Sequence, residues 1–263
     1  MLKKTENGRG RRLALQAVVW TAALLVGCSS GVKPPARPGA TLTTVGFANC
    51  PQFFVSGRAP AVAIAGRLRE LCFDSFAVLH SGESRTPVYV AERLNRDIVL
   101  RAQKIERTNR FYADARLPAA ERAELSDYKG SVNSRGHMAA AANMPTPAAM
   151  AQSFSLANMV PQDPRQNAGP WAKVEDDTRK YALRAKGDIY VMTGPVFADQ
   201  RVIGANRVHV PTHLFKLVYD PSTARTWVHW QQNTPDAKVN KPLSYQEFQQ
   251  WVGLDLLPGV AVH

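Results

Sequence analysis

Two kinds of apolar pattern divide the chain. Residues 13–26 form an almost unbroken apolar run, whereas from about Asn49 onward apolar residues come in short groups with polar punctuation. Residues 75–80 (SFAVLH) and 88–92 (VYVAE) are β-prone, and residues 81–87 (SGESRTP) between them carry turn formers. That pattern predicts two antiparallel strands. Residues 189–193 predict a strand stopped by Gly194-Pro195. Residues 214–219 (LFKLVY) and 226–230 (TWVHW) predict two more, and residues 119–125 a short helix. Ser244-Tyr245-Gln246-Glu247 is a capping box leading into a helix over 245–252, with Gly253 just past its end. Strands and helices without a βαβ rhythm give an α+β class, a mixed or antiparallel sheet core with helices.

The apolar run near the start follows Lys3, Lys4, Arg9, Arg11 and Arg12 and ends in Leu25-Val26-Gly27-Cys28. A basic region before a short apolar run reads as a secretory signal over 1–27, too short for a comfortable transmembrane helix. Small residues before Cys28 resemble the lipobox of bacterial lipoproteins, which implies acylation of Cys28. Ser29 at the next position then implies outer-membrane sorting, facing the periplasm or the cell surface. An ordinary signal peptide or a membrane anchor is the competing reading. Residues 28–44 are rich in Pro, Gly and Thr without an apolar period and read as a tether, leaving 45–263 as one domain.

Charge and cysteines fit export. The chain carries 33 basic and 21 acidic residues, a net of +12. Removing residues 1–27 takes away five basic residues and Glu6, leaving 28 and 20, a net of +8. Such a balance suits a polyanionic partner, nucleic acid or an anionic membrane surface, although charge serving only solubility is the plainer alternative. With Cys28 assigned to lipid, Cys50 and Cys72 can close a loop in an oxidising compartment. A metal site built from those two cysteines is the weaker alternative.

Candidate chemistry gathers in two stretches. Asn133-Ser134-Arg135-Gly136-His137-Met138 places a histidine behind Arg-Gly and ahead of small residues. In 153–183, residues 154–159 are strand-like, 161–166 read as a loop, and a helix starts at Asn167. Asn167, Trp171, Glu175 and Arg179 are spaced four apart, and a drift of about 40° per step keeps neighbours on one face. Trp171 can then pack on the sheet while Asn167 and Glu175 point toward the helix start. Taken alone, this is also the pattern of a surface helix with an Asn cap and a Glu175–Arg179 pair. His80, His209, His213, His229 and His263 lack metal-ligand spacing, and Trp227, Trp230 and Trp251 read as core.

Together the two stretches resemble the ββα-metal (His-Me finger) fold, and more closely the DNA/RNA non-specific endonuclease family. The likeness rests on Arg135-Gly136-His137, Asn158-Met159-Val160-Pro161-Gln162, Asn167, Trp171, Glu175 and Arg179. Residues 191–197, Val210-Pro211-Thr212 and Phe215-Lys216 add agreement, so it covers roughly 50–258. The resemblance implies metal-dependent hydrolysis of DNA and RNA to 5′-phosphate products with little sequence preference. It casts His137 as general base and Asn167 as the one direct protein ligand of Mg²⁺, with Mn²⁺ as the alternative ion. Glu175 would hydrogen-bond metal-bound water and help protonate the leaving group. Arg107 (Arg110 as second choice), Arg135 and Arg179 would serve the phosphate, with Asn158 and Gln162 in support. The family's motif begins with Asp where this chain has Ser134, which implies support for metal-bound water with less negative charge. Gly136 and the small residues after it are expected to leave room for a nucleic-acid backbone. A non-catalytic nucleic-acid-binding surface lipoprotein on the same scaffold is the rival reading, and the oligomeric state is left open.

Overall fold

The computed structural model describes residues 46–62 and 67–262. The expected signal, tether and acylated Cys28 lie outside those residues. In chain order the strands and helices are β1 (Leu68–Cys72), β2 (Phe76–Ser81), β3 (Thr86–Leu94), α1 (Arg96–Ala102) and α2 (Leu125–Tyr128). Then come β4 (Ser134–His137), α3 (Pro147–Ser153), β5 (Met159–Gln162), α4 (Pro164–Gln166) and α5 (Ala172–Ala182). The chain closes with β6 (Ile189–Val196), β7 (Val202–Ile203), β8 (Val208–His209), β9 (His213–Asp220), β10 (Arg225–Gln232) and α6 (Tyr245–Val252).

Six strands form one antiparallel sheet in the order β1-β2-β3-β6-β9-β10. Both faces are covered, so β2 and β3 are buried almost throughout. Alternation survives in direction: Ala77, Leu79, Tyr89 and Phe215 enter one core with Phe47, Phe54 and Phe248. Phe76, Val78, Val90 and Leu214 enter the other with Met144, Phe154 and Trp171. Each such fully buried aromatic or aliphatic side chain stabilises by roughly 1.5–3 kcal/mol. The first core holds α6, whose capping box and left-handed Gly253 match the sequence reading. It also holds the Cys50–Cys72 disulfide, with Cα atoms 5.8 Å apart.

Several boundaries differ from the sequence reading. The strand from Ile189 does not stop at Gly194-Pro195 but continues to Val196. Gly194 is there for space, since a Cβ would lie 2.6 Å from the Val88 carbonyl oxygen and 2.7 Å from the Phe215 ring. Residues 119–125 form a tight turn at Ala119–Glu121, an extended Arg122, and only then α2. Residues 154–159 are not one strand: a helical turn at Leu156–Asn158, tied by the Ser155 hydroxyl to the Ala157 amide, precedes β5. Pro161 and Gln162 belong to β5 rather than to a loop. The following helix begins before Asn167, where Asp163 caps the amides of Arg165 and Gln166. Trp251 is not core; it is 60 % exposed and packs edge-on against Trp230.

Candidate active site

β4 and β5 form a ribbon outside the main sheet, with Ser134 opposite Gln162 and His137 opposite Met159. Buried amides fasten it. Asn158 accepts from the Ala139 amide at 2.8 Å and donates to the carbonyls of Ala139 and Ser153 at 3.0 and 2.9 Å. Asn233, just past β10, donates to the carbonyls of Pro161 and Pro211 and accepts from the Asp163 amide. Gln162 donates to Gln166, which donates to Gln231 of β10 at 2.9 Å. These amides hold the ribbon to the sheet by hydrogen bonds that would be costly to leave unmade in a buried setting.

Gly136 does not open space for a ligand. A Cβ there would meet Gln162 Oε1 at 1.7 Å, so the glycine makes room for the Gln162 side chain.

At the end of β4, His137 is 8 % exposed, its ring edge-to-face with Phe154 at 4.9 Å and 5.8 Å from Phe111. Its Nε2 is buried without a protein partner among the described residues. Burial first, and the Arg107 charge second, push its pKa down to about 3, so the imidazole is neutral at physiological pH. The Arg107 guanidinium lies 5.0 Å from the centre of the Phe154 ring, and that of Arg135 lies 4.1 Å from the centre of Phe111. Two cations therefore rest on the rings that flank the histidine. Arg110 is exposed on the same loop as Arg107, and the two line one hollow together with Lys104.

Asn167 opens a wide π-type turn, Asn167–Trp171, in which the Ala172 amide reaches back to the Asn167 carbonyl. Pro170 within it has no N–H to give to the ordinary ladder. This widening breaks the even four-residue spacing, yet Trp171 is fully buried while Asn167, Glu175 and Arg179 are partly open. Asn167 Nδ2 donates to Ser134 Oγ at 3.1 Å, and that hydroxyl donates to the Gln162 carbonyl at 3.1 Å. Ser134 thus orients the asparagine directly, with the carbonyl end of the amide left for a ligand. Glu175 has its pKa raised by burial, against the opposing pull of Lys216, Arg179 and Arg107. Arg107 is therefore a charge that both His137 and Glu175 feel. The alternative Glu175–Arg179 surface pair does not form; Arg179 turns to Asp176 at 3.7 Å and Asn143 at 3.5 Å.

Under these groups lie two charged residues that the sequence reading did not single out as site residues. Glu92 on β3 is fully buried and accepts from Asn143 Nδ2 at 2.9 Å; Lys216 on β9 is 1 % exposed. Each directly follows or interrupts an apolar run, VYVAE and LFKLV, which is the signal that could have marked them.

Among the described residues no cluster of three His, Cys, Asp or Glu could hold a metal ion. A single amide oxygen with an acid nearby suits a hard cation that keeps most of its waters, as Mg²⁺ does. Among those residues no helix is long and apolar enough to cross a membrane.

A ribbon ending in histidine, followed by a helix that carries asparagine one turn in from its start, is the arrangement of a His-Me finger (ββα-metal) domain. The EndoG/EndoGI complex, a solved structure, superposes with a TM-score of 0.70 over 84 % of this chain and 95 % of that one, at 23 % identity. Residues 58–257 match the model of the DNA/RNA non-specific endonuclease family, and the chain belongs to that family. Human mitochondrial Endonuclease G is 33 % identical over 192 residues, 66 % of this chain and 62 % of that protein. Human mitochondrial Nuclease EXOG is 33 % identical over 159 residues, 56 % of this chain and 43 % of that protein. The chain thus spans between about two-fifths and two-thirds of the length of these relatives.

Proposed function

We propose that the protein is a metal-dependent nuclease that hydrolyses phosphodiester bonds of DNA and RNA with little sequence preference. The observation that carries this reading is the content of one short strand, β4. It ends in a neutral, buried imidazole at His137 and begins with the Ser134 hydroxyl that fixes the Asn167 amide.

In this reading His137 takes a proton from water as the water oxygen forms a bond to phosphorus. The bond from phosphorus to the 3′ oxygen breaks, leaving a 5′-phosphate and a 3′-hydroxyl. A divalent cation held through Asn167, Mg²⁺ or Mn²⁺, supplies positive charge to the phosphate and the departing oxygen when bound. Glu175, whose pKa burial raises, would hydrogen-bond a water on that cation and pass a proton from that water to the departing 3′ oxygen. The proton taken from the attacking water stays on His137. Arg107, Arg135 and Arg179 engage the phosphate, while Asn158 and Gln162 keep the ribbon in place. Phosphate contacts through arginine carry no sequence information, which suits indiscriminate cutting. Export as an outer-membrane lipoprotein acylated at Cys28 is part of the same proposal and rests on the sequence.

The test incubates the protein with plasmid DNA and with RNA, in Mg²⁺ or in EDTA. Mg²⁺-dependent cleavage that His137→Ala removes is the expected result. Binding without cleavage would replace the enzyme by a nucleic-acid-binding lipoprotein. For the anchor, a radioactive fatty acid should label the wild type and not Cys28→Ala.

A further inference from the structure

The side of α5 turned away from Glu175 borders a second hollow. On the helix, Arg184 and Tyr181 fall about 180° and 240° round from Glu175. They face β10, the edge strand of the sheet, across an open space of about 570 Å³. That is room for a nucleotide, since ligand sites run roughly 300–1,000 Å³. The far wall is fixed as well, because Leu243 and Val228 exchange backbone hydrogen bonds that hold residues 241–243 to β10.

Two of the lining side chains are aromatic and held in place. Tyr181 meets Trp227 edge to face at 4.8 Å, and its hydroxyl donates to Asp220 at 2.6 Å. Trp227 Nε1 donates to His229 Nε2 at 3.2 Å. The indole packs on the core that holds Ile189 and Val218, yet it is only half-buried.

The remaining lining is cationic. Arg184, Arg225 and Lys241 are exposed, and none joins an ion pair among the described residues. Asp177, the carboxylate that lines the hollow, is already paired with Lys173. Arg184 is held against Tyr181, its guanidinium 5.1 Å from the ring centre and its Nη1 donating to the Lys180 carbonyl at 3.1 Å. Three cations without a counter-charge thus surround a fixed pair of rings.

We propose that this hollow is a non-catalytic site for a single strand of nucleic acid, with phosphates on Arg184, Arg225 and Lys241 and a base against Trp227. Cations that track a backbone, beside rings that take bases, hold single strands without sequence preference. An anionic membrane surface fits less well. Binding there needs apolar side chains to insert, and none of the large apolar residues exposed on the described surface lines this hollow. The inference rests on the nuclease reading for the identity of the ligand. It adds a contact across α5 from Glu175 that keeps a long strand on the enzyme between cuts.

The test uses the full chain in the His137→Ala background, in EDTA, with a fluorescent single-stranded oligonucleotide carrying 5-iodouracil. Photo-crosslinks mapped to Trp227 or Tyr181 are expected. Trp227→Leu should weaken binding by about 5- to 100-fold. Arg225→Ala with Lys241→Ala should lower the slope of log Kd against log salt by about 1 to 2. Arg58→Ala with Arg67→Ala, outside the hollow, should leave that slope unchanged. Should Trp227→Leu fail to fold, the crosslinks and the two charge variants decide. Crosslinks confined to other rings such as Phe111 and Phe154, or equal effects of the two charge variants, overturn the proposal. Phosphatidylglycerol vesicles that bind the parent and not Arg225→Ala/Lys241→Ala, with oligonucleotide binding equal in both, replace it by a membrane-facing site. Cleavage of the same oligonucleotide in Mg²⁺, with His137 restored, is scored separately. Cleavage without crosslinks in the hollow overturns this site alone, whereas crosslinks there without cleavage overturn the nuclease reading and uphold the site.

Discussion

Asn167 and Ser134 are joined by a 3.1 Å hydrogen bond from the amide Nδ2 to the hydroxyl Oγ. The serine's own proton is committed to the Gln162 carbonyl, so the pair has one arrangement and the amide carbonyl faces away from it. Partners that orient a metal ligand commonly change affinity by about 10- to 100-fold when removed. Ser134→Ala should therefore raise the Mg²⁺ concentration for half-maximal cleavage several-fold, and Ser134→Asp, which adds a negative charge, should lower it. A Mg²⁺ titration of the cleavage rate decides this. Two unchanged curves would mean that Asn167 is not the metal's anchor.

Stability should depend on pH in two opposing ways. His80, His137 and His229 have folded pKa values lowered by burial to about 4, 3 and 4. Their unfolded values lie near 6.5. The unfolded chain thus binds more protons below that pH, and stability is lost as pH falls from about 6.5 toward those folded values. Glu92 does the reverse: raised to about 7, its contribution is full below about 4.5 and lost as pH rises through 7. Denaturant unfolding of wild type and Glu92→Gln at pH 5 and pH 8 separates the two. The variant should gain relative to wild type by up to about 3 kcal/mol between those pH values, since each pKa unit is about 1.4 kcal/mol. An unchanged difference would mean that Glu92 titrates as an ordinary carboxylate.

Gly136→Ala tests packing under the ribbon. Its Cβ would overlap Gln162 Oε1, and it would also lie 2.7 Å from Gln162 Cβ. Overpacking of this kind costs about 1–3 kcal/mol, or a fall in Tm of about 2–4 °C per kcal/mol for a domain of this size. Thermal unfolding measures it. An unaltered Tm would show that Gln162 can move aside freely.

The disulfide offers a contrast. Cys50 and Cys72 pack in the core on the sheet face opposite the one that carries Phe154 and Trp171. Replacing both by serine should cost roughly 3 kcal/mol on the chain-entropy model and leave the cleavage rate of the folded protein unchanged. A slowed rate at full folding would couple that face to the chemistry.

Much of this molecule could be read from local pattern. The strands around Ser75, Val88, Leu214 and Thr226 and the capped helix at Ser244 follow from short-range signals, as does the Asn167–Arg179 helix in outline. What escaped was decided by distant partners. Gly194 marks a close approach of Val88 and Phe215 rather than a strand end. Pro170 widens a turn that a four-residue spacing treats as regular. Glu92 and Lys216 look like surface charges until both faces of the sheet are covered. Trp251, aromatic at an apolar helical position, stays largely in solvent because Trp230 offers it only an edge.

Arg107 and Arg135 already lie on Phe154 and Phe111. Pinning a long, many-jointed cation onto a phosphate ordinarily sacrifices up to about 2 kcal/mol of rotamer freedom for each side chain. Here part of that freedom is already given up against the rings, so in the proposed nuclease an arriving strand would meet charges held in place beforehand. Lysine at either position would keep the charge and lose the flat contact with the ring. In the proposed nuclease, the two ring-backed arginines would let a passing nucleic acid be gripped on contact, without a search for the right pose.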